Sequence, residues 1–133
     1  MPARVLIVED NPANLDLARY LLESHGYATL VATDGEQGLR IAREERPQLI
    51  LCDLQMPVMD GYALMRELRG DPLFRDTLVI AVTAFSMPGD RGVALAAGFN
   101  GYVSKPIDPE RFVQEIEAYL PAGSRADRSP RSG

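Results

Sequence analysis

The sequence predicts an open, doubly wound α/β fold, a three-layer sandwich with a five-stranded parallel sheet between two layers of helices. Three observations carry this expectation. Five short apolar runs alternate with five amphipathic or capped segments along the chain. Four of the runs are continuous, only four or five residues long and rich in β-branched residues, the pattern of strands buried on both faces. At 133 residues the chain has room for one domain, but not for the ~250 residues of a closed (β/α)₈ barrel.

The first run, Val5-Leu6-Ile7-Val8, leads through Glu9 and Asp10 to Asn11, a helix-capping residue with Pro12 at the first helical position. Leu15, Ala18 and Leu22 then recur at helical spacing before Gly26. The second run, Ala28-Thr29-Leu30-Val31-Ala32, ends in Thr33-Asp34-Gly35 and precedes a weakly striped helix carrying Ile41 and Ala42. The third, Leu49-Ile50-Leu51-Cys52, runs into Asp53, and Asp60-Gly61 reads as the turn that starts a helix bearing Leu64, Met65 and Leu68. The fourth, Leu78-Val79-Ile80-Ala81-Val82, is followed by Thr83 and Ala84. The helix after it is weak, because Gly89 and Gly92 each cost roughly 1 kcal/mol against alanine. The fifth, Gly101-Tyr102-Val103, leads to Ser104, Lys105 and Pro106. Behind Pro109, the residues Phe112, Val113, Ile116, Tyr119 and Leu120 form one apolar stripe, the clearest helix of the five. Short connections of this kind imply right-handed crossovers and helices on both faces. Residues 1–120 form the expected domain. Residues 121–133, rich in Ser, Gly, Pro and Arg, read as a disordered tail or linker stub.

The net charge is −5; three arginines against Asp127 give the last thirteen residues +2, so residues 1–120 carry −7. Such a surface repels phosphate backbones and argues against nucleic-acid binding. No window approaches the ~20 apolar residues of a membrane span, and the N-terminus lacks the pattern of a signal peptide. Cytoplasmic residence is therefore expected. One cysteine, Cys52, can form neither an internal disulfide nor a cysteine-based metal site. Among 14 basic residues, Lys105 is the single lysine.

In open α/β sheets, ligands bind beyond the carboxyl ends of the strands. That edge gathers Glu9, Asp10, Asp53, Thr83 and Lys105: three carboxylates, a hydroxyl and an ammonium. Clustered carboxylates need a cation or must take up a proton. Oxygen donors without His or Cys favour a hard divalent ion, and Mg²⁺ fits because it keeps waters and accepts phosphoryl oxygens. A carboxylate such as Asp53 can also become an aspartyl-phosphate. Lys105 and the Thr83 hydroxyl could then share the charge on the equatorial oxygens, with Ala84 leaving room for the group. The residues thus read as a Mg²⁺-assisted phosphoryl acceptor.

The segments Val8-Glu9-Asp10-Asn11, Cys52 to Gly61, Val82-Thr83-Ala84 and Tyr102-Val103-Ser104-Lys105-Pro106 resemble those of the response-regulator receiver domain. The match covers residues 4–120. It is similar to stand-alone receivers of the chemotaxis or cell-cycle type, and to the receiver modules of hybrid histidine kinases. The resemblance implies a flavodoxin-like sheet of strand order 2-1-3-4-5 and a role in two-component signalling. It implies that Asp53 accepts a phosphoryl group from a histidine kinase or histidine phosphotransfer protein. Mg²⁺ would be held by Asp10, Asp53 and the carbonyl of Gln55, with Glu9 acting through water. Thr83 and Lys105 would grip the phosphoryl oxygens, and Tyr102 would be an aromatic switch whose ring turns inward as Thr83 moves. Lys105-Pro106 resembles the family's cis peptide. Gln55 and Phe85 occupy the positions that tune phosphate lifetime, and the bulk of Phe85 suggests slow self-hydrolysis. The first helix, around Asn14, Leu15 and Arg19, is the implied docking site of the phosphodonor. A downstream protein would read the face formed by the fourth helix, Tyr102 and the last helix.

Bland readings stand beside these. Asp10 or Asp53 alone would more often be a cap or loop residue, Thr83 a strand-end hydroxyl and Tyr102 a half-buried strand aromatic. Cys52 reads as a small core residue, His25 as a helix C-terminal residue, and Met56, Met59, Met65 and Met87 as packing residues. Two other functions share the topology or the chemistry. A flavin carrier needs a Ser/Thr/Gly phosphate cradle where this chain has Glu9-Asp10-Asn11-Pro12. An aspartyl-phosphate phosphatase wants a second acid where Gln55 stands.

Overall fold

Every apolar run becomes a strand. In the computed structural model, which describes residues 3–56, 58–84 and 87–125, strands β1 (Arg4–Val8), β2 (Ala28–Ala32), β3 (Leu49–Asp53), β4 (Leu78–Thr83) and β5 (Gly101–Ser104) form one parallel sheet. Its order is β2-β1-β3-β4-β5. Between the strands lie α1 (Pro12–Ser24), α2 (Gly35–Glu45), α3 (Gly61–Arg69) and α4 (Asp90–Ala96), and α5 (Phe112–Glu117) follows β5.

The continuous runs are explained by two cores. Side chains alternate across a strand, so Val5 and Ile7 pack with Leu22, Leu51, Ile80, Phe112 and Ile116 under α1 and α5. Their neighbours Leu6 and Val8 pack with Ile50, Leu64, Met65, Leu68 and Phe74 under α2, α3 and α4. A strand covered on both faces has no polar side to display.

Three helices start on side-chain caps. Asn11, Asp34 and Asp60 accept hydrogen bonds from the backbone N–H groups of Asn14, Gln37 and Ala63, each worth about 1 kcal/mol. The start of α3 is pressed against the end of β3: a Cβ on Gly61 would lie 2.6 Å from the carbonyl oxygen of Asp53. Only glycine permits that approach. On the opposite face the Tyr27 hydroxyl donates to Glu117 at 2.5 Å, joining the α1–β2 turn to α5.

Departures from the expected elements are small and local. The strands β3, β4 and β5 each extend one residue further, to Asp53, Thr83 and Ser104. Regular helix in α5 stops at Glu117, so Tyr119 and Leu120 complete the apolar stripe from a turn. Met56 and Met59 pack against the core and Met65 is fully buried, but Met87 is 68 % exposed and is not a packing residue. It sits in the turn before a helix too short to fold it under. Among the described residues beyond Leu120 the chain makes a 3₁₀ turn, Ala122–Ser124, and Arg125 Nε donates to the Leu120 carbonyl at 3.2 Å. Phe85 and residues 126–133 lie outside the described residues. Among the described residues no helix is long and apolar enough to cross a membrane.

Candidate functional site

The sheet register sets the site. Val8 pairs with Cys52, Asp53 with Val82, and Thr83 with Ser104. The residues that leave these strands therefore emerge side by side at one edge. Glu9, Asp10 and Asp53 each present a carboxylate oxygen within 4.8 Å of the others. Glu9 and Asp53 are buried, Asp10 is exposed, and Thr83 is buried at the end of β4.

Lys105 is the cation of this cluster. Its Nζ lies 2.6 Å from Glu9 Oε1 and 3.2 Å from Asp53 Oδ2. Its backbone N–H donates to the Thr83 carbonyl at 2.8 Å, which ties the lysine to the end of β4. The Lys105–Pro106 peptide is cis, as the resemblance implied. The other oxygens are held by backbone. Glu9 Oε2 accepts from Asn11 N–H at 3.1 Å, and Asp53 Oδ1 accepts from Gln55 N–H at 3.0 Å.

Electrostatics follow from that crowding. Burial, and then the hydrogen bond and charge of Asp53, push the Glu9 carboxyl from 4.5 up to about 7, although Lys105 and Asn11 pull the other way. Burial acts to lower the Lys105 ammonium. The hydrogen bonds and charges of Glu9 and Asp53 outweigh it and hold the group above its usual value. The Cys52 thiol is driven upward by complete burial and by the neighbouring carboxylates, so it is an inert core residue.

Two clefts that share Asp10 and Gln55 open on the cluster. One of about 330 Å³ is lined by Glu9, Asp10, Asn11, Asn14, Asp53, Gln55, Ala84 and Lys105. The other, of about 570 Å³, runs between α3 and α4 past Gln55, Asp60, Tyr62, Thr83 and Asp90. The structure thus brings together Glu9, Asp10, Asp53, Gln55, Thr83 and Lys105. Tyr102 stands apart, its ring only 7 % exposed within the core under α3 and α4. It is more buried than a half-buried strand aromatic.

Sequence reasoning missed two contacts. It did not pair Glu9 with Lys105, whose nearest carboxylate partner it is; the lone lysine was the only signal. It also missed the backbone N–H groups of Asn11 and Gln55, which no side-chain pattern reports. A donor set of three converging carboxylates with no His or Cys fits a hard divalent cation.

Comparison with known proteins places this geometry in a family. The model of the response regulator receiver domain matches residues 5–117. The chain is 45 % identical over 120 residues to the polar-differentiation response regulator DivK of Brucella anthropi, covering 90 % of this chain and 98 % of that protein. The DivK of Brucella ovis is 43 % identical over the same coverage. Among solved structures, the chemotaxis response regulator CheY4 of Vibrio cholerae superposes with a TM-score of 0.85 at 28 % identity, over 90 % of this chain and all of that one. The receiver domain of the sensor histidine kinase PA1611 from Pseudomonas aeruginosa, solved with a magnesium ion in its active-site cleft, gives 0.80 at 36 % identity over 90 % and 98 %. With matching motifs, strand order and acidic edge, this chain belongs to the response regulator receiver domain family, the signalling modules of two-component systems.

Proposed function

We propose that Asp53 is the phosphoryl acceptor of this receiver and that a phosphohistidine, on a histidine kinase or a histidine phosphotransfer protein, is its donor. The observation that carries the reading is Lys105, the only lysine in the chain, held 3.2 Å from the Asp53 carboxylate in an otherwise acidic cleft. An Asp53 oxygen bonds to phosphorus as the phosphorus–nitrogen bond breaks, and the electron pair leaves with the imidazole. Lys105, which enters the reaction paired with Glu9 and Asp53, turns its ammonium to the new phosphoryl oxygens. The Thr83 hydroxyl at the end of β4 donates to another. Asp10, Asp53 and the Gln55 carbonyl would hold Mg²⁺, with Glu9 acting through water, and the bound ion supplies positive charge to the transferring group.

Phosphorylation raises the local charge to about −1.5 to −2 beside Glu9 and Asp10. The pull on Thr83 and Lys105 is transmitted to the loops after β4 and β5, and the face formed by α4, β5 and α5 changes its affinity for a protein target. The Tyr102 ring follows Thr83 as the aromatic switch, and α4, with no side-chain cap and only Ala94 buried, is the element free to shift. Residues 1–120 form the signalling unit and 121–133 a tail or linker, in a cytoplasmic module that turns over no metabolic substrate. The test is incubation with acetyl phosphate and Mg²⁺. The protein gains the mass of one phosphoryl group and Asp53→Asn gains none while keeping its fold; labelling retained in that variant overturns the assignment.

A further inference from the structure

The two ends of α4 are held in opposite ways. At its C-terminal end the helix closes on a left-handed glycine: Gly98 has φ +112°, and the Phe99 N–H returns to the Ala94 carbonyl at 3.2 Å. The Gly98 carbonyl then accepts twice from Arg69 of α3, from Nε at 3.2 Å and from Nη2 at 3.1 Å. Nη2 also reaches Asn100 Oδ1 at 2.8 Å, and Nη1 reaches the carbonyls of Phe74 and Thr77 at 3.0 and 3.2 Å. A guanidinium carries five N–H donors, and these bonds use all of them. Asn100 passes the hold on to β4, its Oδ1 accepting from the Val79 N–H at 2.9 Å and its N–H donating to the Val79 carbonyl at 2.7 Å. One side chain thus rivets the end of α4 to α3, to the 3₁₀ turn Pro72–Phe74 and to the start of β4.

The N-terminal end has no such rivet. Gly89, at φ +93°, gives no side-chain cap, and a Cβ placed on Gly89 or Gly92 would meet nothing within 4 Å. Met87, whose N–H donates to Asp90 Oδ2 at 2.7 Å, is open to solvent. The bond from Arg91 to the Tyr119 hydroxyl is exposed, where water competes for both partners. Ala94, the buried residue of α4, lies one turn from the pinned end. The free end is also the one beside the site, because Asp90 lines the cleft that leads to Thr83.

We infer that α4 answers phosphorylation as a lever, pivoting at Gly98 on the Arg69 guanidinium while its N-terminal end swings. The inference rests on Asp53 being the acceptor and on α4 being the element that shifts; what it adds is the fixed point. Sliding α4 bodily, or melting it throughout, would break bonds of a part-buried guanidinium, and each donor left unmet there is costly. Tilting the helix about Gly98 keeps them. Gly92 lies six residues from Gly98. At ~1.5 Å per residue, a tilt of about 20° carries Gly92 roughly 3 Å and leaves Ala97 almost in place. A protein partner therefore reads the phosphorylated state at the exposed Met87, Arg91 and Val93, whereas Leu95, near the pivot, offers nearly the same contact in both states.

Distances between spin labels on the full chain, with and without acetyl phosphate and Mg²⁺, test the lever. Cys52 is fully buried and its thiol is driven upward, so labels go to introduced cysteines. Gly92→Cys and Ala97→Cys are each paired with Arg40→Cys in α2 and with Gln114→Cys in α5, all at exposed positions. Two references on opposite faces of the sheet make a tilt in any direction visible. Phosphorylation shifts the distances to residue 92 by about 3 Å and those to residue 97 by less than about 1 Å. Equal shifts at the two positions, or none at residue 92, overturn the inference. In Arg69→Ala the shift at residue 97 rises to match that at residue 92; a difference that persists shows that Arg69 is not the pivot. Should Arg69→Ala not fold, Arg69→Lys, which keeps the charge but cannot span the same carbonyls, is read in the same way. If the mass gain is missing from Asp53, it is the acceptor assignment that fails, so the labelled position tells the two failures apart.

Discussion

The helices α3 and α4 stand on the same face of the sheet and form opposite walls of the cleft that leads to Thr83, through Tyr62 on one side and Asp90 on the other. They are held very differently. α3 begins on the Asp60 cap, buries Leu64, Met65 and Leu68, and ends at Arg69, whose guanidinium makes five hydrogen bonds to Gly98, Phe74, Thr77 and Asn100. α4 begins at Gly89 with no side-chain cap and buries only Ala94; Val93 is 57 % exposed and Leu95 44 %. Burying a large aliphatic side chain contributes roughly 1.5–3 kcal/mol, so α3 is anchored by several such contributions and α4 by almost none. The cleft has one fixed wall and one loose wall.

Core truncation separates the walls most strongly. Leu68→Ala in α3 should cost about 3 kcal/mol in urea unfolding, within the usual range of about 2–5, while Val93→Ala in α4 should stay within about 0.5 kcal/mol. Equal losses would show that α4 is anchored after all.

The strand-end cluster titrates on the rigid side of this comparison. Because the Glu9 carboxyl is raised to about 7 in the folded protein, from 4.5, the folded state binds more protons than the unfolded one between those values. Stability measured in EDTA should therefore fall as pH rises from about 4.5 to 7. Mg²⁺ should recover part of that loss, since ionised Glu9 then faces a cation. A stability that rises through this window would show that Glu9 is ionised throughout.

Smaller effects sharpen the contrast. Asp60→Ala should destabilise α3 by about 1 kcal/mol, whereas α4 has no side-chain cap to lose. Gly92→Ala, in α4, adds a methyl group into open space and should stabilise by about 0.5–1 kcal/mol. Slower amide exchange confined to residues 90–96 would confirm that α4 is the weak element. The smallest change is Tyr119→Phe. Its hydroxyl accepts from Arg91 Nη2 at 2.7 Å, a tether between α4 and the end of α5. Losing it should cost about 0.5 kcal/mol and speed exchange in α4 while leaving α3 unchanged.

Much of this was legible before any coordinates. The runs at Val5, Leu49 and Leu78 announce strands covered on both faces, and Asn11 and Asp60 announce helix starts, because caps and periodicity are local properties of a few residues. Met87 was misjudged for the complementary reason: whether a methionine is covered depends on how long the next helix is and where it lies. Tyr102 was read as a half-buried strand aromatic and is buried, since its cover is set by packing among Tyr62, Phe99 and α3 that no strand pattern encodes.

Taken alone, the chain's order of residues determined which side chains reach the catalytic edge, since strand direction and short connections carry Glu9, Asp53, Thr83 and Lys105 to the same end of the sheet. Only the tertiary structure decided that Lys105 sits 2.6 Å from Glu9 and 3.2 Å from Asp53, and that one wall of the neighbouring groove is loose. Pairing between charges and the anchoring of a helix depend on distances of an ångström or less. Those distances are set jointly by both packed faces of the sheet, and not by any one stretch of chain.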